Sequence, residues 1–113
     1  MEFRKQKPIY LQIADRLMEQ ILGGVPAAEE RMPSVRDVAA SMGVNPNTVM
    51  RTFEHLQSEG IIYNRRGVGY YVADDAKNRI LEEQRREFLE EELSLIRQRM
   101  QLLGIGEEAL SAK

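Results

Sequence analysis

The sequence predicts a mainly α-helical fold with one small β-hairpin and a C-terminal helical segment. Apolar residues recur at spacings of three and four across residues 8–59, as they do on amphipathic helices. Residues 61–72 instead place Ile, Tyr and Val on both sides of a basic turn, which is typical of two paired strands. From Asp75 to Leu103 the chain has neither Pro nor Gly and is rich in Glu, Arg, Gln and Leu, which favours a long helix.

Composition limits the classes of protein that are possible. The 113 residues include 16 Lys or Arg, 18 Asp or Glu and no Cys, so the net charge is −2. A chain of this length forms one domain with at most an appendage. The lack of Cys excludes disulfides, thiolate catalysis and Cys-based zinc sites, and fits a cytoplasmic protein. No apolar run approaches the roughly 20 residues that a membrane span needs.

The charge is distributed unevenly along the chain. Residues 1–73 carry nine basic and eight acidic side chains, whereas residues 74–113 carry seven basic and ten acidic ones. The acidic excess therefore lies in the C-terminal segment, and the N-terminal part is able to present a basic face to a partner.

The first predicted helix covers residues 8–22. Pro8 suits its first turn, and the Gly23-Gly24 pair ends it. Its apolar stripe consists of Tyr10, Ile13, Leu17, Met18 and Ile21.

Capping residues predict two further helices that follow each other closely. Ser34 precedes Asp37 by three residues, a capping-box spacing that opens a short second helix, and Gly43 ends it. Asn45 and Pro46 suit the N-cap and first position of a third helix over residues 46–59. That helix turns Val49, Phe53 and Leu56 inward and Asn47, Arg51, Glu54 and Ser58 outward.

The order of the elements predicts a winged helix-turn-helix. A helix, two short helices joined around a glycine and a hairpin with a basic tip form this architecture. We assign residues 1–73 to this domain and residues 74–113 to a C-terminal helical segment. The tip is Asn64-Arg65-Arg66-Gly67, and Tyr70 and Tyr71 alternate faces, so that one of them belongs to the core.

An apolar seam predicts that the C-terminal segment forms a dimer. Its residues step by four, three, four and three, which an isolated helix would leave exposed to water. The alternative is that this helix folds back on its own winged domain. The seam consists of Leu89, Leu93, Ile96, Met100 and Leu103, and Gly104-Ile105 is a candidate C-cap.

Residues 8–73 contain the run PSVR…VNPNTV-x-R…L-x-x-x-G…RRG-x-G-x-x-V. With this run, they closely resemble the GntR family of bacterial transcription regulators. The resemblance implies a homodimeric, repressor-type binder of double-stranded DNA. The short tail is similar to the YtrA-type branch, in which C-terminal helices join two subunits and a separate effector domain is lacking. Two departures are the run EER before Met32, where relatives commonly carry a Gly, and Met32 itself, where Leu is usual.

The candidate base-reading residues lie at two helix starts. Arg36, in the first turn of the second helix, suits a phosphate or a guanine edge. Asn47, Thr48 and Arg51 lie on the part of the third helix that enters a major groove. Asn pairs with adenine, Arg pairs with guanine, and the Thr methyl contacts the thymine methyl.

The candidate phosphate-binding residues lie in the hairpin. Arg65 and Arg66 precede Gly67, whose missing side chain allows close approach to a groove, although a solvated turn would explain the same residues. We expect Ser34 and Asn45 to lie near the DNA, but they are better explained as helix caps.

Enzyme chemistry finds little support in this sequence. His55 is the single histidine and lies beside Glu54, so that neither a metal site nor a nucleophile with its base can be assembled. We expect no cofactor and no metal, and the sequence does not indicate a small-molecule effector. The main alternative function is a winged-helix protein-interaction module, but an outward face rich in Arg and Asn favours DNA.

Overall fold

The computed structural model describes residues 7–111 of the chain and divides into two compact units. Residues 1–6 of the predicted N-terminal domain and 112–113 of the C-terminal segment lie outside this range. Within it, one unit comprises residues 7–83 and the other comprises residues 84–111.

The first unit has the predicted order of elements. Its helices and strands are α1 (Ile9–Leu22), α2 (Val35–Met42), α3 (Pro46–Ser58), β1 (Ile62–Arg65), β2 (Gly69–Val72) and the start of α4 (Ala76–Glu87). The first three helices end in the same way, with a backbone N–H that donates to the carbonyl five residues earlier. These bonds run from Val25 to Gln20, from Val44 to Ala39 and from Ile61 to Leu56, at 2.9, 3.1 and 3.0 Å.

The core lies between α1, α2, α3 and the hairpin. The inward residues predicted for α3, Val49, Phe53 and Leu56, are completely buried. Thr52 is buried beside them, and its hydroxyl donates to the carbonyl of Tyr10 at 2.7 Å, which ties α3 to the start of α1. A buried hydroxyl needs such a partner, so this contact fixes how the two helices pack.

The core also takes residues from the start of α4. Ala76 and Ile80 are buried in the same cluster as α1 and α3. The first compact unit therefore continues to Glu83. The composition around Ile80 is so polar that it gives little sign of a buried face.

The hairpin pairs β1 with β2 in antiparallel register, from Ile62 opposite Val72 to Arg65 opposite Gly69. Tyr70 packs edge-on against Phe53, with ring centroids 5.1 Å apart, whereas Tyr71 lies on the outer face. The prediction that one of the two tyrosines belongs to the core is thus confirmed.

A short extended segment before α2 runs along the free edge of β2. Met32 N–H donates to the Tyr70 carbonyl at 2.8 Å, and Arg31 forms an isolated bridge with Tyr71. Glu29, the first residue of the EER run, has a φ of +69°, a conformation that favours glycine. Its carboxylate accepts a hydrogen bond from the Tyr63 hydroxyl at 2.7 Å, and this bond raises the pKa of Tyr63.

The second unit continues α4 through a π-helical turn (Phe88–Glu92) into α5 (Leu93–Leu103), and a 3₁₀ helix (Glu107–Ser111) follows. The helix predicted over residues 75–103 is present, but the π turn interrupts its α-helical bonding. No Pro or Gly marks that turn, so propensity gives no signal for it. Gly104 has a φ of +71°, and Ile105 N–H donates to the Met100 carbonyl at 2.8 Å, which is the predicted C-cap.

Candidate nucleic-acid interface

The start of α2 is held by the predicted cap. The Ser34 hydroxyl accepts a hydrogen bond from the Asp37 N–H at 3.0 Å. This bond begins the helix at Val35 and places Arg36 in its first turn with an exposed side chain. The free N–H groups of that turn face the same end of the helix, where an anion is stabilised.

The start of α3 follows the same rule. Asn45 Oδ1 accepts from the Asn47 N–H at 2.7 Å, and Pro46 occupies the first turn. The Asn45 side chain is therefore used as a cap, and the Asn47 side chain is exposed. Thr48 is half-buried beside it. Of these two, Asn47 is the more accessible to a base.

Arg51 is held against α1. Its guanidinium carbon lies 4.1 Å from the centroid of the Tyr10 ring, a cation–π contact. The predicted base-reading face of α3 therefore contains one exposed amide, Asn47, and one arginine that stacks on a neighbouring helix. The sequence placed Tyr10 in the core stripe of α1, and nothing local connects it with a residue so distant along the chain.

The outer face of the wing carries a stack of aromatic and cationic side chains. Tyr63 and Tyr71 stack with centroids 6.0 Å apart, and the Arg65 guanidinium lies 4.5 Å from the Tyr71 centroid. Arg66 and Gly67 form the exposed tip, where Gly67 has a φ of +75°. That backbone conformation favours a glycine and turns the chain back into β2.

Some arginines outside this surface form ion pairs with carboxylates. Arg79 pairs with Asp75 at 3.0 Å, and Arg97 pairs with Glu107 at 3.1 Å. Among residues 7–111, no carboxylate pairs with the guanidinium groups at the helix starts and in the wing, namely those of Arg36, Arg51, Arg65 and Arg66. Unpaired, exposed guanidinium groups on one domain favour an anionic partner.

The second unit exposes most of its apolar side chains. Within α5 no residue is buried, and the predicted seam leaves Leu89, Ile96 and Leu103 exposed at 58, 36 and 62%. Leu102 is exposed at 76% and lies on the far side of α5 from Met100, since two helical steps turn by about 200°. The apolar surface of this unit is thus wider than the predicted seam.

Neither a candidate metal site nor a candidate membrane span is found among residues 7–111. This part of the chain contains no group of three or more His, Cys, Asp or Glu side chains that could hold a metal. His55 lies edge-on to the Tyr10 ring, with centroids 6.2 Å apart, and packs α3 on α1. None of the described helices is long and apolar enough to cross a membrane.

The first unit has two short helices around a glycine and a wing on their flank, and the helices and the wing carry arginines without ion pairs. These features define a winged helix-turn-helix DNA-binding protein. Residues 9–72 match the family described as bacterial regulatory proteins, gntR family. The chain therefore belongs to the GntR family and is a DNA-binding transcriptional regulator.

Relatives and solved structures agree with this assignment. The chain is 35% identical to an uncharacterized HTH-type transcriptional regulator, YhcF, of Bacillus subtilis over 96% of this chain and 88% of that protein. It is 39% identical to the HTH-type transcriptional repressor YtrA of Bacillus subtilis over 70% of this chain and 61% of that protein. A putative GntR-family regulator from Bacteroides thetaiotaomicron is similar with a TM-score of 0.79 and 44% identity, over 92% of this chain and 90% of that one. The AraR(DBD) in complex with an operator has a TM-score of 0.57 and 25% identity, over 60% of this chain and 82% of that one.

Proposed function

We propose that this regulator is a homodimeric repressor that binds a two-fold related operator. Each copy places the start of α3 in a major groove and the tip of the wing on the neighbouring backbone. The C-terminal segment predicted over residues 74–113 joins the two copies and fixes the distance between their recognition helices. The relative named as a repressor, YtrA, supports the direction of regulation.

The single observation that carries this proposal is the set of arginines without carboxylate partners at the two helix starts and in the wing. Arg36 extends from the start of α2, and Arg66 lies at the exposed tip of the hairpin. Met50 and Val68 are the exposed large apolar side chains of α3 and the wing. A surface of this kind fits phosphates and base edges better than an apolar protein groove.

Binding to duplex DNA is expected to weaken steeply as salt rises. Each phosphate that a cation neutralises adds about −0.9 to the slope of log affinity against log salt. Arg66→Ala removes one arginine from each copy of the dimer, so it should weaken all duplexes alike and make the slope shallower by about 1.8. Fluorescence anisotropy at several salt concentrations measures both quantities.

The matched control for that experiment is Arg79→Ala, which removes an arginine of α4 that already pairs with Asp75, just before that helix. It should leave the slope unchanged. A flat salt response of the wild-type chain would contradict the proposed phosphate contacts, and a changed base preference in Arg66→Ala would show that the wing reads sequence.

Repression has its own test. A duplex selected from random fragments by the purified protein is placed across a promoter, and transcription by RNA polymerase is measured in vitro. Transcription should fall as the protein is added, because the dimer occupies the promoter. An increase in transcription would overturn the repressor assignment and leave DNA binding intact.

A further inference from the structure

Arg31 lies outside every helix and strand, yet its side chain reaches the wing. One terminal nitrogen, Nη2, donates a hydrogen bond to the carbonyl of Val68, which lies 37 positions away in the turn of the hairpin. The side chain is exposed, and within residues 7–111 no carboxylate pairs with it. An exposed arginine that bonds a backbone carbonyl in place of a carboxylate orders the backbone that it contacts.

The base of this side chain is fixed to the sheet. Arg31 forms an isolated β-bridge with Tyr71. The residues on either side of Arg31 are hydrogen-bonded to β2. The Glu30 carbonyl accepts from Val72 N–H at 2.9 Å, and Met32 N–H donates to the Tyr70 carbonyl. The guanidinium therefore approaches the turn from a rigid backbone.

The Arg31 guanidinium approaches the backbone at position 69 so closely that a glycine is needed there. A Cβ on Gly69 would lie 3.0 Å from Arg31 Nε and 3.2 Å from Nη2, closer than ordinary contacts allow. The guanidinium thus lies directly against the Gly69 backbone. Two cationic groups then cover the outer face of β2, because Arg65 lies over Tyr71, two residues further along.

We propose that Arg31 is a positioning residue for the wing, which holds the turn from Arg65 to Val68 in the shape that binds DNA phosphate. Within the turn itself, Val68 N–H donates to the Arg65 carbonyl at 2.9 Å. Because Arg31 holds the Val68 carbonyl, Arg66 projects from a backbone that is already ordered. Less conformational freedom is therefore lost when the wing binds. This inference rests on the proposed contact between the wing and DNA.

The first test measures the free protein and is independent of DNA. In Arg31→Met, which keeps the stem and removes the guanidinium, the Val68 amide should exchange with solvent several-fold faster than in the wild type. The buried amides of α3 should keep their rates. Unchanged exchange at Val68 would overturn the proposed ordering of the turn whatever the DNA affinity.

The second test is a double-mutant cycle on DNA affinity. Arg31→Met should weaken binding by about threefold to tenfold, because the turn must then be ordered when the protein binds. In an Arg65→Ala, Arg66→Ala background the same change should cost less than about twofold, because residues that act as a unit are not additive. Arg79→Met serves as the control, since that arginine lies against Gly60, which precedes β1 and is not part of the turn from Arg65 to Val68.

The cycle separates the possible failures. An equal loss in both backgrounds would mean that Arg31 contacts DNA by itself, which overturns the positioning role. If Arg65→Ala, Arg66→Ala binds as tightly as the wild type, the proposed wing contact is wrong. Faster exchange at Val68 in that case would confine Arg31 to ordering the turn and overturn its role in DNA binding.

Discussion

A Leu93→Asp, Ile96→Asp double variant is expected to be a folded monomer that binds its operator far more weakly than the wild-type chain. Both residues lie on the predicted seam of α5, where no residue is buried within one copy of the chain. Each such side chain stabilises association by roughly 1.5–3 kcal/mol when it is fully buried between two copies. Two carboxylates in that interface would add a desolvation cost, so the loss should prevent dimerisation at micromolar concentration.

The expected loss of DNA affinity in this variant follows from the loss of the link between two winged domains. Two linked winged domains bind a two-fold related site with a high effective concentration for the second half-site, and this gains about 10²–10⁴ in affinity. The monomer loses that factor while its recognition helix stays intact. Affinity for a single half-site should therefore be unchanged, which separates loss of dimerisation from damage to α3.

Ser94→Asp, Gln98→Asp is the matched control for the dimer. Both residues are exposed on α5 and lie off the seam, so the variant carries the same added charge on the same helix. Sedimentation equilibrium should show a dimer for this control and a monomer for Leu93→Asp, Ile96→Asp, with similar helical circular dichroism. A dimeric seam variant would mean that these residues pack inside one copy, and an unfolded one would mean that the monomer needs them.

Local sequence rules predicted the helices of the winged domain well. The cap bonds of Ser34 and Asn45 involve partners two or three residues away, so their spacing is visible in the sequence. The glycines after the helices are equally local. Strand pairing was predictable because the turn residues lie between two short apolar runs.

The contacts that the sequence did not predict are long-range or alter a regular pattern. The stack of Arg51 on Tyr10 joins two helices, and the bond of Arg31 to Val68 joins a loop to the wing. The burial of Ile80 depends on how α4 leaves the hairpin. The π turn at Phe88–Glu92 changes hydrogen bonding inside a stretch whose composition is helical throughout. Each of these depends on tertiary packing, which spacing along one element does not encode.

These contacts also rank the two base-reading candidates on α3. Asn47 is exposed, and its backbone N–H is already fixed by the cap, so its side-chain amide is available to an adenine edge. The cation–π contact with Tyr10 stabilises the Arg51 side chain in the free protein. Arg51 would have to give up part of that contact to reach a guanine. The contribution of Asn47 to sequence preference should therefore be the larger.

Asn47→Ala is accordingly expected to lose discrimination at particular operator positions by roughly 1–3 kcal/mol, the usual worth of a bidentate base contact. Arg51→Ala should lose less, and Tyr10→Leu should alter preference at the same positions as Arg51→Ala, because the ring orients that guanidinium. Selection from a randomised duplex library, followed by sequencing, measures the preference at every position. Gln57→Ala, at the exposed far end of α3, is the control and should retain the wild-type preference. If Asn47→Ala also retains it, sequence is read by Arg36 or the wing, and the start of α3 only positions the protein on the duplex.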